Sequence, residues 1–446
     1  MASEKAKGPK LDKKHATRPR KNERILTLSG GGFKAGLYHL GSLQALNELG
    51  ELKNFDAFNA VSGGSVTLAW LALNWSQLKF DGVTHVASKF DELIYDRLFD
   101  LYTQQTFDSP AILQGVSGAL FSKKTVSNRF ADLINARLFK DRTLRDFPDQ
   151  YVKGKSGRQA PAFYISSTDM RTNTAWYFCK GPRGFGLAQN YLAGKYRKDF
   201  RVADVVAASA AFPPFFSPML LEMPDGAFMR DGQPVIGGHG KPYKSRLAPS
   251  VSHFIDSLAA AFDQAAAYHP ADNSDEPSPG RLRVEREFRD MAVLGDGGLY
   301  DNLGLERAKS YKKVWVSNAG DPFGATFRPK RNWYSQFRGI VRHMHRQVEQ
   351  RRKIHQRDLA EIYDDVEFLI WEIDDHMTPD AQEAFGGLTD EEAWIAATFP
   401  VRLKKTDKDQ AKLIVEHGAS MTRREVELWR KTKLRDAQQD GARATE

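Results

Sequence analysis

Twice between residues 24 and 75 an apolar, strand-like run passes through a glycine-rich turn into a helical pattern, and this repetition restricts the fold more than any other feature. Ile25, Leu26, Thr27 and Leu28 lead into Ser29-Gly30-Gly31-Gly32-Phe33-Lys34-Ala35-Gly36. Leu37, Leu40, Leu43, Ala45, Leu46 and Leu49 then recur at helical spacing until Gly50 ends the pattern. Residues 55–61 (FDAFNAV) read as a second strand, 62–65 (SGGS) as a second turn and 66–75 (VTLAWLALNW) as a second helix. A β-α-β-α order with glycine at both turns predicts an α/β fold with a mainly parallel sheet flanked by helices.

Downstream, residues 85–147 read as mainly helical, 161–170 (PAFYISSTDM) and 174–179 (TAWYFC) as strands, and 202–212 (VADVVAASAAF) as a helix stopped by Pro213 and Pro214. Residues 253–268 read as a helix and 269–281 (HPADNSDEPSPGR) as a surface loop. Strands are expected at the start of 291–302 (MAVLGDGGLYDN) and over 312–320 (KKVWVSNAG). From about residue 333 the chain reads as helical and highly charged. Three regions are therefore expected: a disordered basic arm over 1–22, a main α/β domain over 23–325, and a helical charged region over 326–446 that packs on or extends it.

Composition narrows the classes. With 41% hydrophobic residues in 446, the chain can build a real core. A single cysteine, Cys179, excludes a disulfide framework or a multi-cysteine zinc site. No run approaches the roughly 18–20 apolar residues of a membrane span, and the charged N-terminus lacks a signal-peptide core, so the expected location is cytoplasmic. Residues 1–24 carry nine basic against three acidic side chains, a net +6 out of +9 for the chain. That is a solvated tail or an arm drawn to anionic lipid. The mildly basic remainder argues against a nucleic-acid-binding face.

The first glycine loop has three readings. A P-loop requires Ser or Thr after Gly-Lys, but Lys34 follows Phe33 and precedes Ala35. A dinucleotide fingerprint fits as Gly30-x-Gly32-x-x-Ala35, with Glu48, Glu51 or Asp56 as the ribose acid. The third reading uses the second turn. Ala60-Val61-Ser62-Gly63-Gly64 between strand and helix has the small flanking residues of a nucleophile elbow, with Ala60 in place of the usual glycine. A serine hydroxyl needs a base, and Gly295-Asp296-Gly297-Gly298 sets a carboxylate at a strand's end in another glycine turn.

In that order, SGGGFKAG, AVSGGS and DGGLYDN resemble the patatin-like phospholipases and the related cytosolic phospholipase A2 catalytic domain. Residues 202–218 (VADVVAASAAFPPFFSP) are similar to the helix and proline turn those families place between serine and aspartate, and 399–418 resemble C-terminal segments of bacterial members. The resemblance implies a patatin-like three-layer architecture and a serine lipid acyl hydrolase. In it Ser62 is the nucleophile, Asp296 its base, and the backbone of Gly30, Gly31, Gly32 and Gly63 the oxyanion hole. Activity would run through a Ser-Asp dyad and an acyl-enzyme, with no cofactor or metal, on membrane phospholipid or lysophospholipid.

Other expectations follow. Lys34 faces the substrate phosphate or is a surface lysine. Asn302 satisfies local backbone groups, and Asp301 faces solvent. A triad using His343 or His345 is the alternative mechanism, while His39 lies one turn into the first helix. Residues 212–221 (FPPFFSPMLL) and 112–124 would pack in the core or line a lipid entry. A nucleotide or lipid binder using the same loops without turnover is the alternative from another functional class.

Overall fold

A computed structural model describes residues 17–107, 125–151, 156–181, 184–189, 194–213, 215–224, 226–230, 233–234, 257–264, 278–320 and 332–443. Most of the expected basic arm, the 112–124 segment and residues 269–277 of the expected loop lie outside them, while the end of that loop is helical, in Pro279–Asp290.

Strands β1 (Lys21–Leu28), β2 (Ala57–Val61), β3 (Ala162–Asp169), β11 (Tyr311–Asn318) and β12 (Glu367–Glu372) lie side by side in the order β12-β11-β1-β2-β3. All four of these pairings are parallel. Beyond β3 the sheet continues antiparallel through β4 (Thr174–Gly181), β5 (Gly184–Ala188), β6 (Gly194–Tyr196), β8 (Phe228–Arg230) and β9 (Gln233–Pro234). Strands β7 (Met219–Glu222) and β10 (Met291–Asp296) pair with each other, and β10 also pairs antiparallel with β3.

The inner parallel strands are buried on both faces over most of their length, whereas β12 at the edge is only partly buried. In β1, Ile25 joins Val314 and Val316 of β11 in one apolar cluster, while Leu26 and Leu28 join Phe58, Trp315 and Trp371 in the other. Alternation along a pleated strand sends successive side chains to opposite faces, so a doubly covered sheet needs this near-continuous apolar run. The first helix, α1 (Gly32–Glu48), follows β1; α2 (Gly63–Asn74) follows β2; α3 is Val202–Ser209. The C-terminal part supplies α4 (Trp333–Ile362), α5 (Asp390–Thr398) and α6 (Lys408–Arg443). Helices α1 and α6 approach at backbone distance: a methyl on Gly41 would strike the Val415 carbonyl, and one on Gly418 the Tyr38 carbonyl. Among the described residues no helix is long and apolar enough to cross a membrane.

Two expectations change. The region after 333 is not wholly helical, because residues 367–372 (EFLIWE) form β12 and extend the main sheet by one strand. Its apolar run is only four residues long between glutamates, too short to signal a strand inside a charged, helical stretch. The aspartate turn also reaches the site differently. It comes on an antiparallel strand rather than at the end of another parallel one. Strand β2 covers β3 only as far as Val61 opposite Ser166, and β10 takes over with Asp296 opposite Ser167. The two strands meet end to end along one edge of β3, and Ser62 and Asp296 stand at the junction.

Candidate active site

Ser62 is the N-cap of α2, at φ 50° and ψ −122°. A non-glycine residue with positive φ is strained, and such strain persists only where the surroundings over-determine it. Here they do. The Ser62 N–H donates to Ser209 Oγ at 2.9 Å, and the Ser209 hydroxyl donates on to the Ser166 carbonyl at 2.6 Å. On the other side the Ser62 carbonyl accepts from the Ser65 N–H at 2.9 Å and the Ser65 hydroxyl at 2.5 Å. The serine itself is half-buried and reachable.

Asp296 ends β10 and is 2% exposed. Its carboxylate accepts from the Gly298 N–H at 2.7 Å, and the Ser62 side chain lies near enough to favour its charged form. Burial nevertheless dominates and pushes the carboxyl up from 3.8 to about 7, the Ser62 and Gly298 neighbours offsetting only part of the desolvation. The turn is held from behind, since Asp296 N–H donates to the Ala211 carbonyl (3.0 Å) and Gly297 N–H to the Ser209 carbonyl (3.1 Å). Thr168 and Ser167 hydroxyls donate to the Asp296 and Gly295 carbonyls.

The two glycine turns touch. A methyl on Gly63 would collide with the Gly32 carbonyl and stand 2.7 Å from the Gly32 nitrogen. Gly32 has φ 61°, and a side chain there would meet the Arg402 carbonyl at 2.7 Å. Gly32 and Gly63 open their helices and so have no intrahelical acceptor. Among the described residues nothing accepts from the N–H of Gly31, Gly32 or Gly63. Gly30 differs from the expectation: its N–H donates to the Asn302 carbonyl at 3.2 Å and is already engaged. It instead permits close approach, because a Gly30 side chain would stand 2.5 Å from Asn302 Oδ1 and 3.1 Å from Ser62 Cβ.

Lys34 is neither a surface lysine nor turned to solvent. It is fully buried, and its ammonium donates to the carbonyls of Gly320 (3.2 Å) and Ala397 (3.1 Å). Asp301 is buried rather than solvent-facing, paired with Arg352 at 2.9 Å and accepting from the Glu306 N–H. Asn302 serves distant partners instead: its carbonyl accepts from the Gly30 N–H, and its Nδ2 donates to Glu349 Oε1 at 3.1 Å. Burial raises the Glu349 carboxyl. His39 is buried between Ser317 Oγ and the Ser29 carbonyl, and desolvation lowers it to about 4. His343 is exposed, and the ring of His345 faces Phe212 at 6.3 Å. Among the described residues no hydrogen bond joins a histidine to Ser62 or Asp296.

The candidate ribose acids lie away from the loop. Asp56 precedes β2 and pairs with Arg158; Glu51 pairs with Arg24 and Arg430; Glu48, at the far end of α1, pairs with Arg423. A dinucleotide site places its acid about 20 residues beyond the fingerprint, within reach of the bound ribose. Here Ser62 stands at the carboxyl end of β2 instead. No three His, Cys, Asp or Glu side chains among the described residues converge as a metal site would require. In the 212–221 stretch, Phe216, Met219 and Leu221 are buried, whereas Phe215 and Leu220 are exposed.

Sequence reasoning missed Ser209, Ser166 and Glu349. The polar run Ser166, Ser167 and Thr168 inside an otherwise apolar strand is the one signal that could have been read, because buried hydroxyls need partners. Nothing local marks Ser209 or Glu349.

A mainly parallel sheet flanked by helices, with a serine on a strained strand-to-helix elbow next to a buried aspartate and unengaged backbone N–H groups, defines an α/β protein with a patatin-like fold. Residues 26–235 match the patatin-like phospholipase family, so the chain carries a domain of that family, and the match ends before Asp296. Among solved structures it is similar to human GIVD cytosolic phospholipase A2, with 11% identity and a TM-score of 0.42 over 90% of this chain and 61% of that one. The same enzyme in complex with methyl gamma-linolenyl fluorophosphonate gives 13% identity and 0.39 over 91% and 58%. VipD from Legionella pneumophila gives 13% identity and 0.21 over 94% and 96%. This chain thus spans about three fifths of the human structures it matches. No curated protein matches the sequence significantly.

Proposed function

We propose that this protein is a serine lipid acyl hydrolase that cleaves fatty-acyl esters of phospholipids or lysophospholipids through Ser62 and Asp296. One observation carries the reading: Ser62, on its strained elbow, and the buried Asp296 carboxylate stand where β2 and β10 meet along β3, close enough for the Ser62 side chain to act on the carboxyl, whose burial brings its pKa to about 7. An aspartate near 3.9 is a poor base for a hydroxyl, whereas one near 7 is matched to neutral pH.

Asp296 takes the hydroxyl proton as Ser62 Oγ attacks the ester carbonyl carbon. The carbonyl π electrons move to oxygen, and the N–H groups of Gly31, Gly32 and Gly63 are the donors available to that oxyanion, with the N-terminus of α2 adding its dipole. Collapse expels the alcohol, which takes the proton from Asp296, and leaves an acyl-enzyme. Water then repeats the cycle, losing its proton to Asp296 and returning Ser62. The histidine positions favour the dyad over a triad, and the placement of Glu48, Glu51 and Asp56 disfavours a nucleotide binder. β12 and α6 support reading residues 326–446 as built onto the 23–325 catalytic domain.

The test is hydrolysis of a fluorogenic acyl ester, and of phospholipid and lysophospholipid, by purified protein. Ser62→Ala should remove activity with its melting temperature unchanged, while His343→Ala and His345→Ala stay within a few-fold of wild type. A Ser62→Ala protein keeping more than about a tenth of the rate would sink the assignment, because members of a catalytic unit fail together.

A further inference from the structure

The basic arm, the element the sequence suggests for anionic lipid, leaves the fold far from the site. Its root is Lys21 at the start of β1, and the glycine loop follows the other end of that eight-residue strand. At about 3.3 Å per residue the two are some 26 Å apart. A lipid substrate must reach Ser62 from a bilayer, so the surface bonded to the site's loops matters more than the arm.

Two C-terminal stretches are bonded directly to the site's loops. The Arg402 carbonyl accepts from the Phe33 N–H at 2.9 Å, and the Ala397 carbonyl accepts from Lys34. On α4, Glu349 accepts from Asn302, and the ring of His345 faces Phe212. Both stretches expose apolar side chains. Ile340, Met344 and Val348 are spaced i, i+4, i+8 on one face of α4, and Trp394, Ile395 and Val401 lie beside the glycine loop's contacts. These six are between 42% and 62% exposed. Among the described residues of α4, none before Lys353 is fully buried.

Charge accompanies the apolar residues. Residues 340–348 contain Arg342 and Arg346, residues 394–405 contain Arg402, Lys404 and Lys405, and neither stretch has an acidic residue. Of the flanking acids, Glu349 is bonded to Asn302, Asp407 follows the second stretch, and Asp390, Glu391 and Glu392 occupy the first turn of α5, where they complement its dipole. Apolar and aromatic side chains interleaved with arginine and lysine fit the interface of an anionic bilayer, the chains entering the acyl boundary and the cations meeting lipid phosphates.

We propose that residues 340–348 and 394–405 form a docking rim for an anionic lipid surface and hold the glycine loop against it. The rim rests on the hydrolase reading only for its purpose, so binding and turnover are measured apart. Full-length Ser62→Ala protein, which would leave the bilayer intact, is floated with phosphatidylglycerol–phosphatidylcholine vesicles and with pure phosphatidylcholine vesicles. Two triple variants, I340Q/M344Q/V348Q and W394Q/I395Q/V401Q, are compared with it, and with a protein lacking residues 1–16. Each triple variant should bind the anionic vesicles about tenfold or more weakly, and bind them less steeply than the parent relative to phosphatidylcholine. In an active background both should hydrolyse a short soluble ester at the wild-type rate with unchanged melting.

Parent-like flotation by both triple variants overturns the rim. So does loss of flotation on removing residues 1–16 alone, or a parent dimer that both variants convert to monomer. If the triple variants lose flotation while the active background shows no esterase activity, the rim stands and the hydrolase reading fails.

Discussion

Replacing Asp296 with asparagine should abolish turnover and stabilise the fold at neutral pH. In the unfolded chain this carboxyl ionises near its ordinary 3.8, whereas in the fold it ionises near 7. Below pH 3.8 both states hold the proton and the group is neutral in its effect. Between the two values the unfolded chain has released a proton that the folded chain keeps, so stability falls as pH rises; above 7 the whole cost remains. About three units at 1.36 kcal/mol each make the charged carboxylate destabilising by on the order of 4 kcal/mol above pH 7. Asparagine keeps an oxygen for the Gly298 N–H and removes the charge. For 446 residues at roughly 2.1 cal/mol/K each, 4 kcal/mol corresponds to about 4 °C. Thermal melts of the two proteins from pH 4 to 9 should start together and separate through pH 4–7, with the variant higher. Wild-type kcat/KM on a soluble ester should rise over the upper part of that window, as the carboxyl ionises. Parallel melting curves across the whole range would refute the buried-carboxyl argument, and an active Asp296→Asn protein would refute its role as base.

Three further outcomes are expected. Ser209→Ala leaves the Ser62 N–H without its acceptor, an unsatisfied buried group costing about 1–3 kcal/mol; kcat should fall far more than KM changes, and wild-type kcat would show that the elbow holds itself. Lys34→Ala strips the donor from the Gly320 and Ala397 carbonyls, so it should lower the melting temperature and reduce neutral-ester and phospholipid hydrolysis alike; a loss confined to phospholipid would restore a phosphate-binding role. Deleting residues 1–16 should spare soluble-ester hydrolysis and weaken binding to anionic vesicles modestly and only at low salt, where the Debye length is about 10 Å or more; a salt-independent loss would mean that the arm makes more than electrostatic contacts.

The glycine turns, the strand and helix on either side of each, and the parallel order of β1 and β2 were legible in the residues. Local rules govern them: apolar runs of strand length, helical spacing after them, and glycine where φ is positive or backbones touch, as at Gly32 and Gly63. Ser62 and Asp296 were legible as candidates for the same reason, each in a glycine turn at a strand's end. What joins them was not. Val61 opposite Ser166 and Asp296 opposite Ser167 is a statement of register between strands more than a hundred residues apart, and no local pattern encodes it. Lys34 shows the same limit. A lysine at a helix start reads as exposed, and only the arrival of Gly320 and Ala397 from distant parts of the chain supplies the carbonyls that let it be buried. The pKa of Asp296 belongs wholly to the tertiary structure, because desolvation depends on everything packed around a carboxyl and on nothing in its own dipeptide.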